Sequence, residues 1–184
     1  HEAVVLRTIK YGETDVIAHL FSRSSGRINA IARGALRPKP RYDARIEPFA
    51  LLRFQLGSGR GELAHVRQAD LITVWDKVRS SWRQQSRAAA ILDVVARLSV
   101  PEGDSEATFH LLCNVLEFLD RSDPGSPTSD AIAIASTLKL MHLAGIAPSL
   151  GSCARGSNDP SLSGWSAPDG GVVGASAVEP GDHV

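Results

Sequence analysis

The sequence is short of several residue types, and each shortage excludes a class of protein. Cys113 and Cys153 are the only cysteines, too few for the disulfide framework of a small secreted domain. No apolar run approaches the roughly 20 residues that cross a bilayer. The first ten residues, HEAVVLRTIK, contain no signal-like apolar core. We therefore expect a cytoplasmic protein without membrane contact, and the 43% hydrophobic content excludes a wholly disordered chain.

The chain also lacks net charge, although its two halves differ strongly. Residues 1–87 contain sixteen Lys and Arg against eight Asp and Glu, a formal charge of +8. Residues 88–184 contain four against twelve, a formal charge of −8. This asymmetry favours an anionic partner for the first half. Two solvated surfaces that merely differ in sign explain the charges equally well.

Five segments near the N-terminus show the alternation of a half-buried strand. They are residues 3–10, 15–21, 27–33, 46–56 and 62–71. In the fourth segment, alternate residues from Ala50 to Leu56 predict one buried face, and Arg53 falls on the other. Five short strands fit a small oligonucleotide-binding (OB) barrel, and an SH3-like barrel fits nearly as well.

After Trp75 the apolar residues change to helical spacing. One helix is predicted around residues 88–98, a second at 106–119, and a third near 131–141. The third helix is expected to bury Ala131, Ile134, Leu138 and Met141. Strands followed by helices indicate an α+β fold, an N-terminal OB barrel followed by an all-helical domain.

Residues 149–184 differ from both parts in composition. Gly, Ser and Pro occupy 17 of these 36 positions, so we expect a flexible segment with little regular structure. The predicted division is therefore a barrel domain at 1–77, a helical domain at 78–148 and this segment at 149–184.

A basic loop follows the third predicted strand. It is rich in Pro, contains no acid between residues 33 and 42, and carries Arg33, Arg37, Lys39 and Arg41, with Arg45 close behind. An extended loop of this kind favours contacts with nucleic-acid phosphates. Tyr42 and Phe49 are candidates for stacking on bases or, alternatively, for the core. The other interpretation of the loop is a solvated basic surface.

Other cations are weaker candidates. Arg53 and Arg60, the latter at the Gly-rich tip after the fourth strand, are possible further phosphate contacts. Arg79, Arg83 and Arg87 are spaced as one helix edge. For that edge we slightly favour a solvated face, with Trp82 covering a domain junction.

Catalytic motifs are absent from the sequence. No clustered carboxylates, H-E-x-x-H motif or nucleophile elbow occurs, so we expect neither enzymatic activity nor a cofactor. A nuclease would need an acidic or metal site that the sequence does not indicate. His142 and Cys113 both lie in apolar helical stripes and are interpreted as core residues.

The sequence contains several short blocks in a fixed order: VLR at 5–7, YGETD at 11–15, LF at 20–21, GRI at 26–28, ARGA at 32–35, RPK at 37–39, EPF at 47–49 and LKLMHLAGIAP at 138–148. Together these blocks resemble the RecO family of bacterial DNA repair and recombination mediators. The resemblance implies an OB barrel and a helical domain that together bind single- and double-stranded DNA and anneal complementary strands. It also implies help in loading RecA onto DNA coated with single-stranded-DNA-binding protein, within the RecFOR pathway at the nucleoid.

The resemblance further implies RecR and the acidic C-terminal tail of the single-stranded-DNA-binding protein as partners, and DNA contacts at residues 33–41. The alternative is a non-catalytic protein–protein adaptor with an OB-like barrel.

Many members of the family carry a C-x-x-C…C-x-x-C zinc site in their C-terminal segment, which this chain resembles only in part. Cys153 matches the first ligand, whereas Gly156, Gly174 and Ala177 stand at the other three positions. One thiolate cannot form that site, so we expect no metal and regard 149–184 as a degenerate zinc-finger-like segment.

Overall fold

The computed structural model describes residues 1–40, 42–58, 63–99 and 105–183. Its backbone divides into two compact units, His1–Leu140 and Met141–Val184. The strands are β1 (Glu2–Tyr11), β2 (Asp15–Ser22), β3 (Gly26–Ala32), β4 (Ala50–Gly57), β5 (Ala64–Val74), β6 (Leu162–Ser166) and β7 (Gly171–Gly174). The helices are α1 (Asp76–Ser80), α2 (Trp82–Leu98), α3 (Glu106–Arg121) and α4 (Pro127–Leu143). None of the helices in the described ranges is long and apolar enough to span a membrane.

The first five strands form a closed barrel in the order β1-β2-β3-β5-β4. Neighbouring strands pair antiparallel except β3 and β5, which run parallel where Ala30 lies opposite Ala64. This closed five-stranded arrangement followed by helices confirms the predicted α+β fold with an N-terminal OB barrel. The SH3-like alternative is therefore wrong.

Strand alternation fills the barrel, as predicted. Ala50, Leu52 and Phe54 of β4 point into the core, whereas Arg53 and Gln55 are exposed. The same alternation on the other strands completes an interior of small and large apolar residues, which include Ala3, Val5, Ala18, Leu20, Ala30, Val66 and Ala69. Because one face of every strand is buried, a shift of one residue in any register would expose its apolar set.

The predicted start of the fourth strand is wrong. We expected it at residue 46, but β4 begins at Ala50. Pro48 has no amide hydrogen for a ladder, and Phe49 has a φ of 63°, in the left-handed region that a β-strand cannot contain. The Phe49 carbonyl instead accepts a hydrogen bond of 3.1 Å from the Trp75 amide, at the entrance to α1.

A second core joins the outside of the barrel to the helices. Its residues include Val4, Leu6, Phe21, Val78, Ile91, Leu92, Phe109, Leu112 and Leu116, which lie on β1, β2, α1, α2 and α3. The stripes predicted on α2 and α3 are buried here, and Cys113 packs partly against them. Burial raises the pKa of the Cys113 thiol to about 11, in keeping with a packing residue.

The predicted basic helix edge is divided between two helices. α1 ends at Ser80, and Ser81 caps α2 by accepting a hydrogen bond from the Gln84 amide. Arg79 therefore belongs to α1, whereas Arg83 lies on α2 over the Trp82 ring at 5.4 Å. Trp82 is 71% exposed, so its predicted role in covering a junction is also wrong.

The predicted buried face of α4 is wrong as well. Ile134 is 64% exposed and Ala131 is exposed, whereas Ser129, Ser136 and Leu140 are buried. Apolar residues surround this helix on every side, so their spacing does not select one face. Further along the same helix, His142 is exposed and is not the core histidine that we expected.

The second unit contains more regular structure than its composition predicted. β6 and β7 form an antiparallel hairpin in which Trp165 pairs with Val172. The guanidinium of Arg155 donates to Asp182, Asp169 and the Ala177 carbonyl at 2.6 to 2.8 Å. Strand pairing and the hydrogen bonds of Arg155 therefore order part of this unit, while the flexibility expected for 149–184 stays a prediction.

Candidate nucleic-acid interface

A cationic cleft of about 310 Å³ opens where the β3–β4 loop meets the β1–β2 turn. Its lining residues are Arg33, Arg37, Lys39, Gly34 and Asp15. Three of the predicted DNA-contact residues are therefore brought together in one place. This set, the cationic cleft, is the candidate site.

Hydrogen bonds to the β1–β2 turn hold the base of the basic loop. The Gly34 amide donates to Asp15 Oδ1 at 2.9 Å, and the Leu36 amide donates to the Thr14 carbonyl at 2.9 Å. Gly34 has a φ of 70°, which glycine tolerates without the cost that a Cβ imposes. Residues 33–36 form a turn, so the expectation of an extended loop is wrong at its base.

Tyr42 holds the start of the basic loop through a hydrogen bond to its backbone. Its hydroxyl donates to the Arg33 carbonyl at 3.1 Å, and the side chain is 5% exposed. Phe49 is 8% exposed and belongs to the core between barrel and helices. Both rings are therefore structural, and the hypothesis that they stack on bases is wrong.

The cations of the cleft are available to a ligand. Arg33, Arg37 and Lys39 are exposed, and none forms an ion pair with another described residue. Asp15 is the single carboxylate among the described lining residues, and its Oδ1 already accepts bonds from Gly34 and Thr14. The cleft therefore presents excess positive charge to solvent.

Arg45 lies next to this cleft, whereas Arg53 does not. Arg37 and Arg45 both line an adjoining cleft of about 370 Å³. Arg45 is 84% exposed at its side chain and lies 3.8 Å from Glu47, a loose ion pair. Arg53 donates to Glu2 at 3.0 Å on the β1–β4 edge, outside either cleft. Arg41 and Arg60 lie outside the described residues.

Sequence reasoning missed the acidic member of the site. Asp15 contacts Gly34 across nineteen positions of sequence, a contact that depends on the pairing of β2 with β3. The only feature of the sequence that could have indicated Asp15 was its place at the end of a polar turn.

The residues around Cys153 do not fit a tetrahedral zinc site. Cys153 Sγ accepts a hydrogen bond of 3.3 Å from the Gly174 amide, so two of the four family positions do lie together. Glycine and alanine provide no ligand at the remaining positions, and Arg155 binds the Ala177 carbonyl. Within the described ranges, no group of three or more His, Cys, Asp or Glu side chains is placed to hold a metal ion.

Comparisons with known proteins agree along the whole chain. The family model of the recombination protein O N terminal matches residues 1–75, and that of the recombination protein O C terminal matches residues 79–183. The DNA repair protein RecO of Bifidobacterium animalis subsp. lactis is 37% identical over 99% of this chain and 73% of its own length. The proteins of the same name from Rubrobacter xylanophilus and Alkaliphilus metalliredigens are 35% and 33% identical. These matches cover 85% and 94% of this chain, and 61% and 69% of the relatives.

Proposed function

The chain belongs to the RecO family, and on that premise we propose that it binds single- and double-stranded DNA and anneals complementary strands. Family membership supports a role in DNA repair and recombination. The proposal extends to helping RecA load onto DNA coated with single-stranded-DNA-binding protein. RecR and the acidic tail of the coating protein are proposed as partners on the strength of the family alone.

The observation that carries the proposal is the cationic cleft. Its three unpaired cations can each replace a counterion on a phosphate backbone. Three such contacts change log K by about −2.1 for single strands, and about −2.7 for duplex, per tenfold rise in salt. Between 50 and 200 mM salt, these contacts alone account for roughly an eighteen-fold loss of single-strand affinity. OB barrels commonly bind oligonucleotides near the loop between their first two strands, where this cleft lies.

Annealing requires electrostatic screening more than chemistry. Two DNA strands repel each other through their phosphates, and a cationic surface that contacts both backbones lowers that repulsion. Base pairing then supplies the favourable free energy. No covalent bond is made or broken, so the proposal assigns no catalytic residue.

The test is annealing of complementary oligonucleotides by the chain in which Arg33, Arg37 and Lys39 are all replaced by Ala. We expect slower annealing and a single-strand salt slope that is shallower by about 2. Replacement of Arg97, Arg121 and Lys139 by Ala is the matched control, because it removes three exposed cations that lie outside the cleft.

Unchanged DNA affinity and salt slope in the triple variant would refute the proposed role of the cleft. If the wild-type chain neither binds DNA in a salt-dependent way nor accelerates annealing, the adaptor alternative is favoured. RecR binding by that chain, measured by calorimetry, would then support the adaptor.

A further inference from the structure

A second group of basic residues crosses the outer face of β1, β2 and β3. In the strand registers, Arg7 lies opposite His19, and His19 lies opposite Asn29. With Arg27 and Ala96 of α2, these residues line a pocket of about 230 Å³. The four polar side chains belong to neither the cationic cleft nor the predicted DNA contacts.

The hydrogen bonds in this pocket leave one ring nitrogen of His19 without a protein partner. His19 Nδ1 lies 2.7 Å from Asn29 Oδ1, and an amide oxygen can only accept, so Nδ1 carries the hydrogen. Nε2 of the same ring is buried and has no hydrogen-bond partner among the described residues. A buried polar atom without a partner is costly, so we expect a water molecule or an external ligand to bind it.

Arg27 and Arg7 both present a guanidinium group to the pocket, but only that of Arg27 is held in place by a hydrogen bond. Arg27 donates one Nη1 hydrogen bond of 2.9 Å to the Ala96 carbonyl, which fixes its guanidinium at the wall of the pocket. The Arg7 side chain is exposed and makes no ion pair or hydrogen bond with the described part of the chain. No carboxylate is found among the described lining residues, so the pocket has no internal counterion.

Charges around His19 oppose its protonation. Burial is the main cause that lowers the pKa of His19, and Arg7 on β1 and Arg27 on β3 lower it further, while the Asn29 hydrogen bond raises it. α2 contributes Ala96 to this pocket, and its Asp93 is engaged 2.7 Å from Arg97. An anion bound between the arginines would cancel their repulsion and allow Nε2 to protonate and donate.

We propose that Arg7, His19, Arg27 and Asn29 form a binding pocket for a phosphate group. A phosphate offers several acceptor oxygens to two guanidinium groups and an imidazolium, and Arg is well suited to bind it through two parallel bonds. The ligand is a phosphodiester of bound DNA or a free phosphate ion, since both present the same oxygens.

If the ligand of the pocket is a phosphodiester of DNA, this proposal rests on the proposed function. Arg27 lies near the start of β3 and Arg33 directly follows its end, so the two are six residues apart, or about 20 Å at 3.3 Å per residue. Consecutive base pairs rise by about 3.4 Å along a duplex strand, so about six nucleotides of a duplex strand span the two sites.

The experiment records imidazole NMR signals of the full chain as inorganic phosphate is added, and separately as a thymidine oligonucleotide is added. His19→Gln assigns the His19 signal. We expect phosphate to move that signal and raise its titration midpoint, and Arg7→Ala to abolish the change. Arg7 is exposed and unbonded, so its removal should spare the fold even if Arg27→Ala does not. Lys10→Ala is the matched control on β1, because Lys10 is an exposed cation that lines neither this pocket nor the cationic cleft.

The two ligands separate the possible outcomes. A response to both supports a DNA phosphate in the pocket, and Arg7→Ala should then weaken oligonucleotide binding about fivefold at 0.1 M salt relative to 1 M. A response to phosphate alone supports the pocket as a site for the free ion. If His19 responds to neither ligand while the wild-type chain still binds DNA through the cationic cleft, the pocket is refuted and the proposed function stands. Loss of all salt-dependent DNA binding by the wild-type chain would refute the proposed function instead.

Discussion

Replacing Asp15 with Asn should increase DNA affinity. The Asp15 carboxylate lines the cationic cleft beside Arg33, Arg37 and Lys39, so its charge opposes a bound phosphate. Asn retains an oxygen that can accept the 2.9 Å bond from the Gly34 amide. The substitution therefore removes the unfavourable charge while it keeps the anchor of the loop.

The expected gain follows from one unit of charge. If the variant and wild type bind equally near 1 M salt, one further net cation changes the single-strand slope by about 0.7 and raises affinity about fivefold at 0.1 M salt. Stability should fall slightly, because a hydrogen bond to a neutral oxygen contributes about 1 kcal/mol less than one to a carboxylate. For a chain of this size, that loss lowers Tm by roughly 2–4 °C.

Fluorescence anisotropy of a labelled oligonucleotide at several salt concentrations measures the gain. Glu13→Gln is the matched control, since it makes the same charge change in the same turn at an exposed residue outside the cleft. Asp15→Ala removes the acceptor too, and should gain less than Asp15→Asn if the anchor positions the cations. Equal affinities for Asp15→Asn, Glu13→Gln and wild type would refute the electrostatic account of the cleft.

Three further predictions concern stability. Gln84→Leu should destabilise the chain by about 1–3 kcal/mol in urea, because the buried amide that donates 2.7 Å to the Leu119 carbonyl would be lost. Gln85→Leu, at the exposed neighbouring residue, should change the free energy of unfolding little. An equal loss of stability in both variants would contradict the role of the buried amide. Arg155→Met should accelerate amide exchange in β6 and β7, whereas a chelator added to wild type should not; the opposite pattern would indicate a metal-dependent fold. The Arg155 hydrogen bond lowers the pKa of Asp182 below its ordinary 3.8. The Arg155–Asp182 pair therefore stabilises the fold fully above pH 3.8, and amide protection of β6 and β7 should decline as pH falls through the lower pKa of folded Asp182. Amide protection that does not change over that pH range would contradict the stabilising role of the pair.

Alternation predicted the barrel because one face of every strand meets a single core. It failed at residue 46 because Ile46 is buried as a strand residue would be, while Pro48 and Phe49 break the ladder immediately afterwards. Burial alternation and strand pairing are separate properties, and only the first is visible in a pattern of apolar residues. The same limit applies to α4, where apolar residues on all sides leave the buried face to tertiary packing.

Composition predicted the cations of the cleft but not their neighbours. A run of basic residues around two prolines is visible in any sequence, whereas the Asp15–Gly34 contact requires the β2–β3 register. The row from Arg7 to Asn29 depends further on an irregularity between Val5 and Arg7, which changes the residue that faces His19. A strand pattern with no register cannot place these side chains on one surface.

The +8 charge of residues 1–87 overstates the positive surface that DNA can reach. Arg23 binds Glu106 and Arg87 binds Asp130, so acids of the second half neutralise cations of the first. Arg79 binds Glu47 within the first half, next to the cationic cleft. Net charge alone would make these arginines as available to DNA phosphates as Arg37. They are less available, because a cation already bonded to a carboxylate must lose that bond before it can contact a phosphate. Substitution of Arg87 should therefore reduce stability more than DNA affinity, and substitution of Arg37 should do the reverse.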